Sequence, residues 1–218
     1  MDFAYNDEQK EIIKVVRDLV EKEIVPYAAE MDETGKLHEG LLEKLAAQGL
    51  LGVAIPEEFG GAGLDAITIA AIYEELGKGC AGVATTVAAN ALASYPVIIA
   101  GNDDQKKRYF DIINDDNLAA FALTEPGTGS DAGSVSTRAM KTEDGKGYIL
   151  NGTKCFITNG ALAEVFVVFA NTRKSGGIRG LTAFIVRKGT PGFTVGKAEN
   201  KMGIRASNTT ELIFQDCF

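Results

Sequence analysis

Apolar residues recur at helical spacing through the first half of the chain. Between residues 7 and 31 they fall three or four positions apart, which predicts an amphipathic helix. The apolar positions of this helix are Ile12, Ile13, Val16, Leu19, Val20 and Ile24. Asn6 and Gln9 are placed to cap its start, and Pro26 predicts a kink or an end.

Further helices are predicted over residues 41–48, 65–76, 80–100 and from 102 or 103 to 114. Gly49 suits a left-handed cap after the second helix, and Gly77 and Gly79 are expected to close the third. The stretch 80–101 is apolar but is interrupted by polar residues, which favours a buried helix over a lipid-facing span. Its many small residues fit either tight helix packing or the lining of a narrow acyl pocket.

The pattern changes at residue 117 to alternating runs rich in Val, Ile, Thr and Phe. The predicted strands are 118–123, 135–142, 148–150, 154–158, 165–170, 182–186, 193–197 and 210–215. Asp144 and Gly145 predict a hairpin turn. Helices followed by strands indicate an α+β fold, with an all-α helical domain at 1–116 and an antiparallel β-barrel or sandwich at 117–218.

Composition and charge narrow the functional classes. Hydrophobic residues make up 45% and charged residues 24% of the chain, as in soluble globular domains. The net charge of −8 disfavours nucleic acid as a partner. The acidic start at residues 1–8 has no basic leader, which favours a cytoplasmic protein with no membrane partner.

Cysteine and histidine usage argues against a metal site. The three cysteines lie far apart without CxxC spacing, which indicates reduced, packed thiols. His38 is the single histidine, and nothing in its position favours a catalytic triad.

The glycine-rich stretch 124–133, TEPGTGSDAG, is the first candidate for chemistry. Glycines and hydroxyls after a strand allow backbone N–H groups to approach phosphate oxygens. The spacing GxGxxxG, followed by a predicted strand, does not fit the Rossmann fingerprint, and a P-loop would require GK[ST]. The spacing alone therefore leaves two interpretations, an ordinary turn and a ligand-binding loop.

Five segments carry a resemblance to a known family. Residues 122–131 (ALTEPGTGSD) closely resemble the signature of acyl-CoA dehydrogenases, and residues 151–160 (NGTKCFITNG) resemble their second flavin segment. Residues 53–61, 190–193 and 201–207 also match, so the resemblance covers essentially the whole chain. It points to the short-chain, butyryl-CoA-dehydrogenase-like branch and to the N-terminal and middle domains only, without the C-terminal helical-bundle domain.

The resemblance assigns FAD as the cofactor. The implied cofactor-binding residues are Phe121, Leu123, Thr124, Gly129, Ser130, Phe156, Ile157 and Thr158. Ser130 is also expected on the substrate side, and the Thr158 hydroxyl near flavin N5. Thr128 stands where the family often has Ala, and Phe156 where many members have Trp, so the aromatic wall is kept.

The implied reaction is α,β-dehydrogenation of a short-chain acyl-CoA to a trans-2-enoyl-CoA, with hydride passing to flavin N5. In the family a glutamate of the C-terminal domain removes the α-proton, so no residue of this chain is assigned as catalytic, and Glu125 is expected to support the loop. The expected partners are acyl-CoA, an electron-transfer flavoprotein and further copies of the chain in a homotetramer. The alternatives are a non-catalytic FAD- or acyl-CoA-binding fragment and a same-fold acyl-CoA oxidase or flavin monooxygenase.

Overall fold

The first half of the chain folds as helices in the computed structural model, which describes residues 4–173 and 177–218; residues 1–3 of the acidic start lie outside the described part. The helices are α1 (Asp7–Leu19), α2 (Ala28–Thr34), α3 (Leu41–Ala47), α4 (Ala66–Gly79), α5 (Ala81–Ala100) and α6 (Asp103–Asn114). The predicted cap of α1 is confirmed, because the Gln9 backbone N–H donates to Asn6 Oδ1 at 2.8 Å and the Asn6 N–H donates to Gln9 Oε1 at 3.1 Å. Asn102 caps α6 in the same way with Gln105.

The first predicted helix, 7–31, is not one regular helix. A π-helical turn at Val20–Ile24 and a 3-10 turn at Val25–Tyr27 separate α1 from α2. Pro26 lacks an N–H, and its ring crowds the preceding turn of the helix. The helix therefore widens into a π-turn before Pro26, in which the Val25 N–H donates to the Val20 carbonyl. The kink predicted at Pro26 is confirmed, and the helix resumes beyond it.

The end predicted for the third helix is wrong. Helix α4 runs through Gly77 and ends at Gly79 instead of stopping at Leu76. A Cβ on Gly79 would lie 2.6 Å from Val20 Cγ1. Gly79 therefore permits close packing of α4 against the π-helical turn. In the sequence, a glycine with this packing role cannot be distinguished from one that ends a helix.

Helix α5 is a core helix. Among the described residues it alone has the length and hydropathy to cross a membrane, and 56% of its most apolar window is buried inside the protein. Two of its buried hydroxyl groups bond within the helix: Thr86 Oγ1 donates to the Gly82 carbonyl and Ser94 Oγ to the Asn90 carbonyl. The predicted buried helix is confirmed.

The second half forms one sheet of the seven strands in the described part. They are β1 (Ala119–Ala122), β2 (Arg138–Lys141), β3 (Tyr148–Thr158), β4 (Val165–Asn171), β5 (Leu181–Arg187), β6 (Phe193–Ala198) and β7 (Thr209–Cys217). The hairpin turn at Asp144 and Gly145 is confirmed: Gly145 has φ 71°, and β2 pairs antiparallel with β3.

Two strand predictions need correction. The predicted strands 148–150 and 154–158 are one strand, β3, whose two register shifts interrupt the alternation of its side chains. The strand predicted from residue 135 begins only at Arg138, because the backbone N–H groups of Ser136 and Thr137 donate to the Glu125 carboxylate instead of to a neighbouring strand.

The sheet is also not wholly antiparallel. Strand β1 pairs parallel with β4, and β2 makes one parallel pair with β4 at Asn171, while β5 covers the opposite edge of β4. The connection from β1 to β4 carries β2 and β3 and is therefore long enough for a parallel crossover. Because β1 and β2 lie along the same edge of β4, segment 123–137 leaves the sheet as a loop between them.

Helices and sheet pack together in two hydrophobic clusters, of which the larger extends through both halves. Buried side chains such as Leu76 and Val87 from the helices belong to the same cluster as Phe166 and Leu212 from the strands. The strands at both ends of loop 123–137 are therefore held in closely packed surroundings.

Candidate functional site

The glycine-rich loop begins with a tight turn at its base. The Glu125 N–H donates to the Thr128 carbonyl at 2.9 Å and the Thr128 N–H donates back at 3.0 Å, with Pro126 and Gly127 at the corner. The Thr128 hydroxyl then donates to the Ser134 carbonyl at 2.9 Å. These bonds fold the loop onto itself and fix its path.

Two glycines of this loop, Gly127 and Gly129, are not required by packing. A Cβ on Gly127 or Gly129 would meet no atom of the described residues within 4 Å, and neither glycine is left-handed. Gly129 and Ser130 are exposed. The bare backbone therefore leaves room for a ligand to lie against the loop.

Glu125 closes the loop from inside. Its side chain is 2% exposed and accepts hydrogen bonds from the Ser136 N–H at 2.7 Å, the Ser136 hydroxyl at 2.6 Å and the Thr137 N–H at 2.9 Å. Lys154 Nζ donates to the same carboxylate at 2.8 Å. Burial opposes ionisation, but these donors outweigh it and lower the pKa of Glu125 to about 2.

Lys154 connects the loop to the second segment of interest. Its side chain is fully buried, which lowers its pKa although the Glu125 carboxylate opposes this shift. The ammonium group also donates to the Leu123 carbonyl at 3.0 Å, and the Cys155 N–H donates to the Thr124 carbonyl at 2.9 Å. The start of the loop therefore lies directly against β3 at residues 154 and 155.

Phe156 lies at a bulge of β3 next to these contacts. The register with β7 shifts between Lys154 and Ile157, and Phe156 has a left-handed backbone with φ 57°. For a bulky residue this conformation costs about 1 kcal/mol or more. The bulge points a large apolar side chain outward, and the residue is 64% exposed. An exposed, strained aromatic residue beside an open glycine loop is an arrangement suited to binding a planar ligand.

The remaining predicted site residues lie around this centre with different exposure. Phe121 is half-buried in β1, its ring centroid 5.1 Å from that of Phe169, and Leu123 and Thr124 are half-buried after it. Thr158 is half-buried at the end of β3. Ile157 is 2% exposed and packs in the core.

Two residues of the second segment that support the site were not singled out from the sequence. Lys154 is one. The other is Asn159, whose backbone is left-handed with φ 64° and whose amide donates to the Thr86 carbonyl at 3.0 Å and the Ala119 carbonyl at 3.1 Å. A lysine between apolar strand positions and the Asn-Gly pair at 159–160 were the available signals, but neither identifies a partner far along the chain.

Comparison with known proteins gives the family. The model of the acyl-CoA dehydrogenase N-terminal domain matches residues 6–114, and that of the acyl-CoA dehydrogenase middle domain matches residues 120–217. The chain belongs to the acyl-CoA dehydrogenase family.

Two curated relatives agree with this. The chain is 44% identical to an acyl-CoA dehydrogenase of Bacillus subtilis over 211 residues, which are 96% of this chain and 55% of the relative. It is 43% identical to a short-chain specific acyl-CoA dehydrogenase of Megasphaera elsdenii over 221 residues, which cover 99% of this chain and 57% of the relative. The chain thus spans about half the length of the curated relatives it matches.

Solved structures share the fold over nearly the whole chain. Butyryl-CoA dehydrogenase from Megasphaera elsdenii superposes with a TM-score of 0.92 at 43% identity, covering 100% of this chain and 58% of that one. A chain in a structure of the electron transferring flavoprotein of Acidaminococcus fermentans superposes with a TM-score of 0.94 at 42% identity, covering 100% of this chain and 57% of that one. An acyl-CoA dehydrogenase from Bacillus anthracis complexed with FAD superposes with a TM-score of 0.87 at 39% identity, covering 98% of this chain and 36% of that one.

Proposed function

We propose that this chain forms the flavin-holding part of an acyl-CoA dehydrogenase acting on short-chain acyl-CoA thioesters. The observation that carries the proposal is the exposed Phe156 ring, held at a strained bulge beside a glycine loop whose backbone is open. The relatives named above support it, one by its short-chain specificity and one by its bound FAD.

The residues of this chain fit FAD. Phe156 offers an aromatic wall for the isoalloxazine face, and the half-buried Thr158 hydroxyl offers a donor on the same strand. Gly129 and Ser130 offer accessible backbone and a hydroxyl. Half-buried Phe121, Leu123 and Thr124 lead into the loop, and buried Ile157 follows Phe156 in β3. FAD, when bound, would supply the acceptor for the substrate's β-hydrogen.

The rest of the proposed role follows the family resemblance. Ser130 faces the CoA side, residues 1–116 and 117–218 are the two domains, and an electron-transfer flavoprotein takes the electrons. The assembly is a homo-oligomer. The proton-abstracting carboxylate is not assigned to this chain, because in the family it belongs to the C-terminal domain. Glu125, the glutamate of the glycine loop, is buried in an ion pair.

An FAD titration of the 218-residue chain, followed by flavin fluorescence, tests the proposal. We expect saturable binding that Phe156→Ala weakens and that Phe156→Trp preserves, because an aromatic ring at position 156 is the group required. Phe218→Ala is the matched control, since Phe218 is also exposed, at 69%, but lies in neither segment. Absence of FAD binding, or equal effects of both alanine variants, would contradict the proposal.

Anaerobic addition of butyryl-CoA then separates binding from catalysis. We expect no bleaching of the bound flavin, since no base is assigned within these residues. Bleaching would show that a residue of this chain removes the α-proton. The oxidase alternative predicts rapid oxidation by air once the flavin has been reduced chemically, whereas a dehydrogenase predicts slow oxidation.

A further inference from the structure

The ion pair between Glu125 and Lys154 joins the two segments proposed to hold FAD. Glu125 belongs to the glycine loop and Lys154 to β3, and their charged atoms lie 2.8 Å apart with side chains 2% and 0% exposed. Twenty-nine positions of sequence separate them. A buried charge pair is costly unless its hydrogen bonds are satisfied, so its presence calls for a reason other than packing.

The contacts of the pair are concentrated on backbone that shapes the site. Glu125 holds the N–H groups of Ser136 and Thr137, where the loop returns to the sheet, and Lys154 holds the Leu123 carbonyl, where the loop leaves it. One ion pair therefore fixes both ends of loop 123–137 to a single point on β3.

That point is two residues before the strained bulge. Lys154 is the last residue of β3 in register with β7 before the shift, and Phe156 follows with its left-handed backbone. A left-handed phenylalanine persists only where its surroundings over-determine it. The anchored Lys154 and the Cys155 N–H bond to Thr124 supply that restraint on the N-terminal side of the bulge.

We propose that Glu125 and Lys154 are positioning residues that hold the glycine loop and the Phe156 ring in fixed relation, and so set the flavin-facing surface before the ligand arrives. This inference rests on the proposed function for its ligand, but the restraint on Phe156 is a property of the chain alone. Neither residue needs to touch the flavin.

The chain has no tryptophan, so Phe156→Trp places a single fluorescent indole at the bulge. In this background we would compare Glu125→Gln and Lys154→Met by indole anisotropy and acrylamide quenching, at a temperature where circular dichroism shows every variant folded. Positioning predicts lower anisotropy and about twofold stronger quenching in both variants. In parallel, the dissociation constant for FAD is expected to rise by about tenfold or more.

Glu75→Gln is the matched control, because Glu75 is also a buried carboxylate in an ion pair but lies in α4 and bonds Arg17. A merely structural role for Glu125 and Lys154 would make their variants behave like this control, with lower stability but unchanged anisotropy and FAD affinity, and would overturn the inference. Ser136→Ala removes only the 2.6 Å hydroxyl bond to Glu125 and gives a milder variant, expected to shift the same readouts in the same direction.

The two hypotheses fail separately. If the unaltered chain does not bind FAD, the proposed function is wrong, and the indole measurements still decide whether the pair restrains position 156. If FAD binds but the pair variants leave both the indole and the affinity unchanged, the positioning role alone is wrong.

Discussion

Two glycines in the last turn of α4 face different surroundings. Gly77 is exposed, and a Cβ there would meet its nearest described neighbour, Ala84 Cβ, at an ordinary 4.0 Å. Gly79 faces the π-helical turn, where a Cβ would lie 2.6 Å from Val20 Cγ1 and 3.0 Å from Ile24 Cγ2. Gly79 is therefore needed for close packing, whereas Gly77 only weakens the helix.

Alanine substitutions are expected to change stability in opposite directions at these positions. Gly77→Ala should raise the free energy of unfolding by up to about 1 kcal/mol, because the unfolded chain loses conformational freedom. Gly79→Ala should lower it by about 1 to 3 kcal/mol, because the added methyl group pushes on Val20. Urea unfolding measures both, and a stabilising Gly79→Ala would contradict the packing described here.

Ion pairing between elements joins α1 to α4. Arg17 donates two hydrogen bonds to the Glu75 carboxylate, at 2.8 and 3.1 Å, and Lys78 donates a third at 2.8 Å. The hydrogen bond from Arg17 is the largest cause that lowers the pKa of Glu75 to about 2, and burial opposes it. The carboxylate therefore stays charged in the folded protein well below its usual range.

This pair predicts a pH dependence of stability. In the folded protein the pKa of Glu75 is about 2, below the ordinary 4.5. The contribution of this carboxylate to the free energy of unfolding is therefore fully present above pH 4.5 and is lost as the pH falls toward 2. Glu75→Gln should lower the free energy of unfolding by on the order of 2 kcal/mol at pH 7. The difference from the unaltered chain should shrink between pH 4.5 and pH 2.5, as measured by urea unfolding at each pH. A difference that does not change with pH would contradict the pairing.

Elements whose side chains follow a simple period were predictable from the sequence. Helices α5 and α6 and the start of α1 have clear caps or long apolar runs, and their predicted positions agree with the structure. The π-helical turn, the continuity of β3 and the parallel pairing of β1 with β4 were not predictable, because each depends on contacts between distant parts of the chain. Hydrophobic periodicity carries no information about which strand becomes a neighbour.

The candidate site shows the same division. The glycine loop was a candidate from its glycines and hydroxyls, whereas the second segment was found only through its resemblance to a family. The residue roles drawn from that resemblance remain predictions. The Glu125 and Lys154 pair could not be read from periodicity, since a lysine in a strand normally indicates a solvent-facing position. Its burial follows only from the packing of loop 123–137 against β3.

At the scale of the whole molecule, two buried asparagines join the helical half to the sheet. Asn90 of α5 donates to the Leu51 carbonyl at 2.9 Å and accepts from the Ala119 N–H at the start of β1. Asn159 donates to the carbonyl of the same Ala119 and to Thr86 of α5. Both backbone groups of Ala119 are thus held by side chains, which ties the start of β1 to α5 beneath the site.

This arrangement predicts cooperative unfolding of the two halves. Asn90→Ala should lower the free energy of unfolding by about 2 to 4 kcal/mol, because the buried Leu51 carbonyl and Ala119 N–H lose their bonds to the Asn90 amide. Ser94→Ala is the control, since Ser94 Oγ bonds mainly within its own helix at 2.9 Å, and its cost should stay below about 1 kcal/mol. Urea transitions followed by far-ultraviolet circular dichroism, which reports mainly the helices, and by the indole of Phe156→Trp, which reports β3, should coincide while Asn90 is present, because helices and strands pack into shared hydrophobic clusters. If the two probes separate while Asn90 is present, the halves unfold independently and the asparagine junction does not couple them. If they separate only in Asn90→Ala, the junction is what couples the helical half to the sheet.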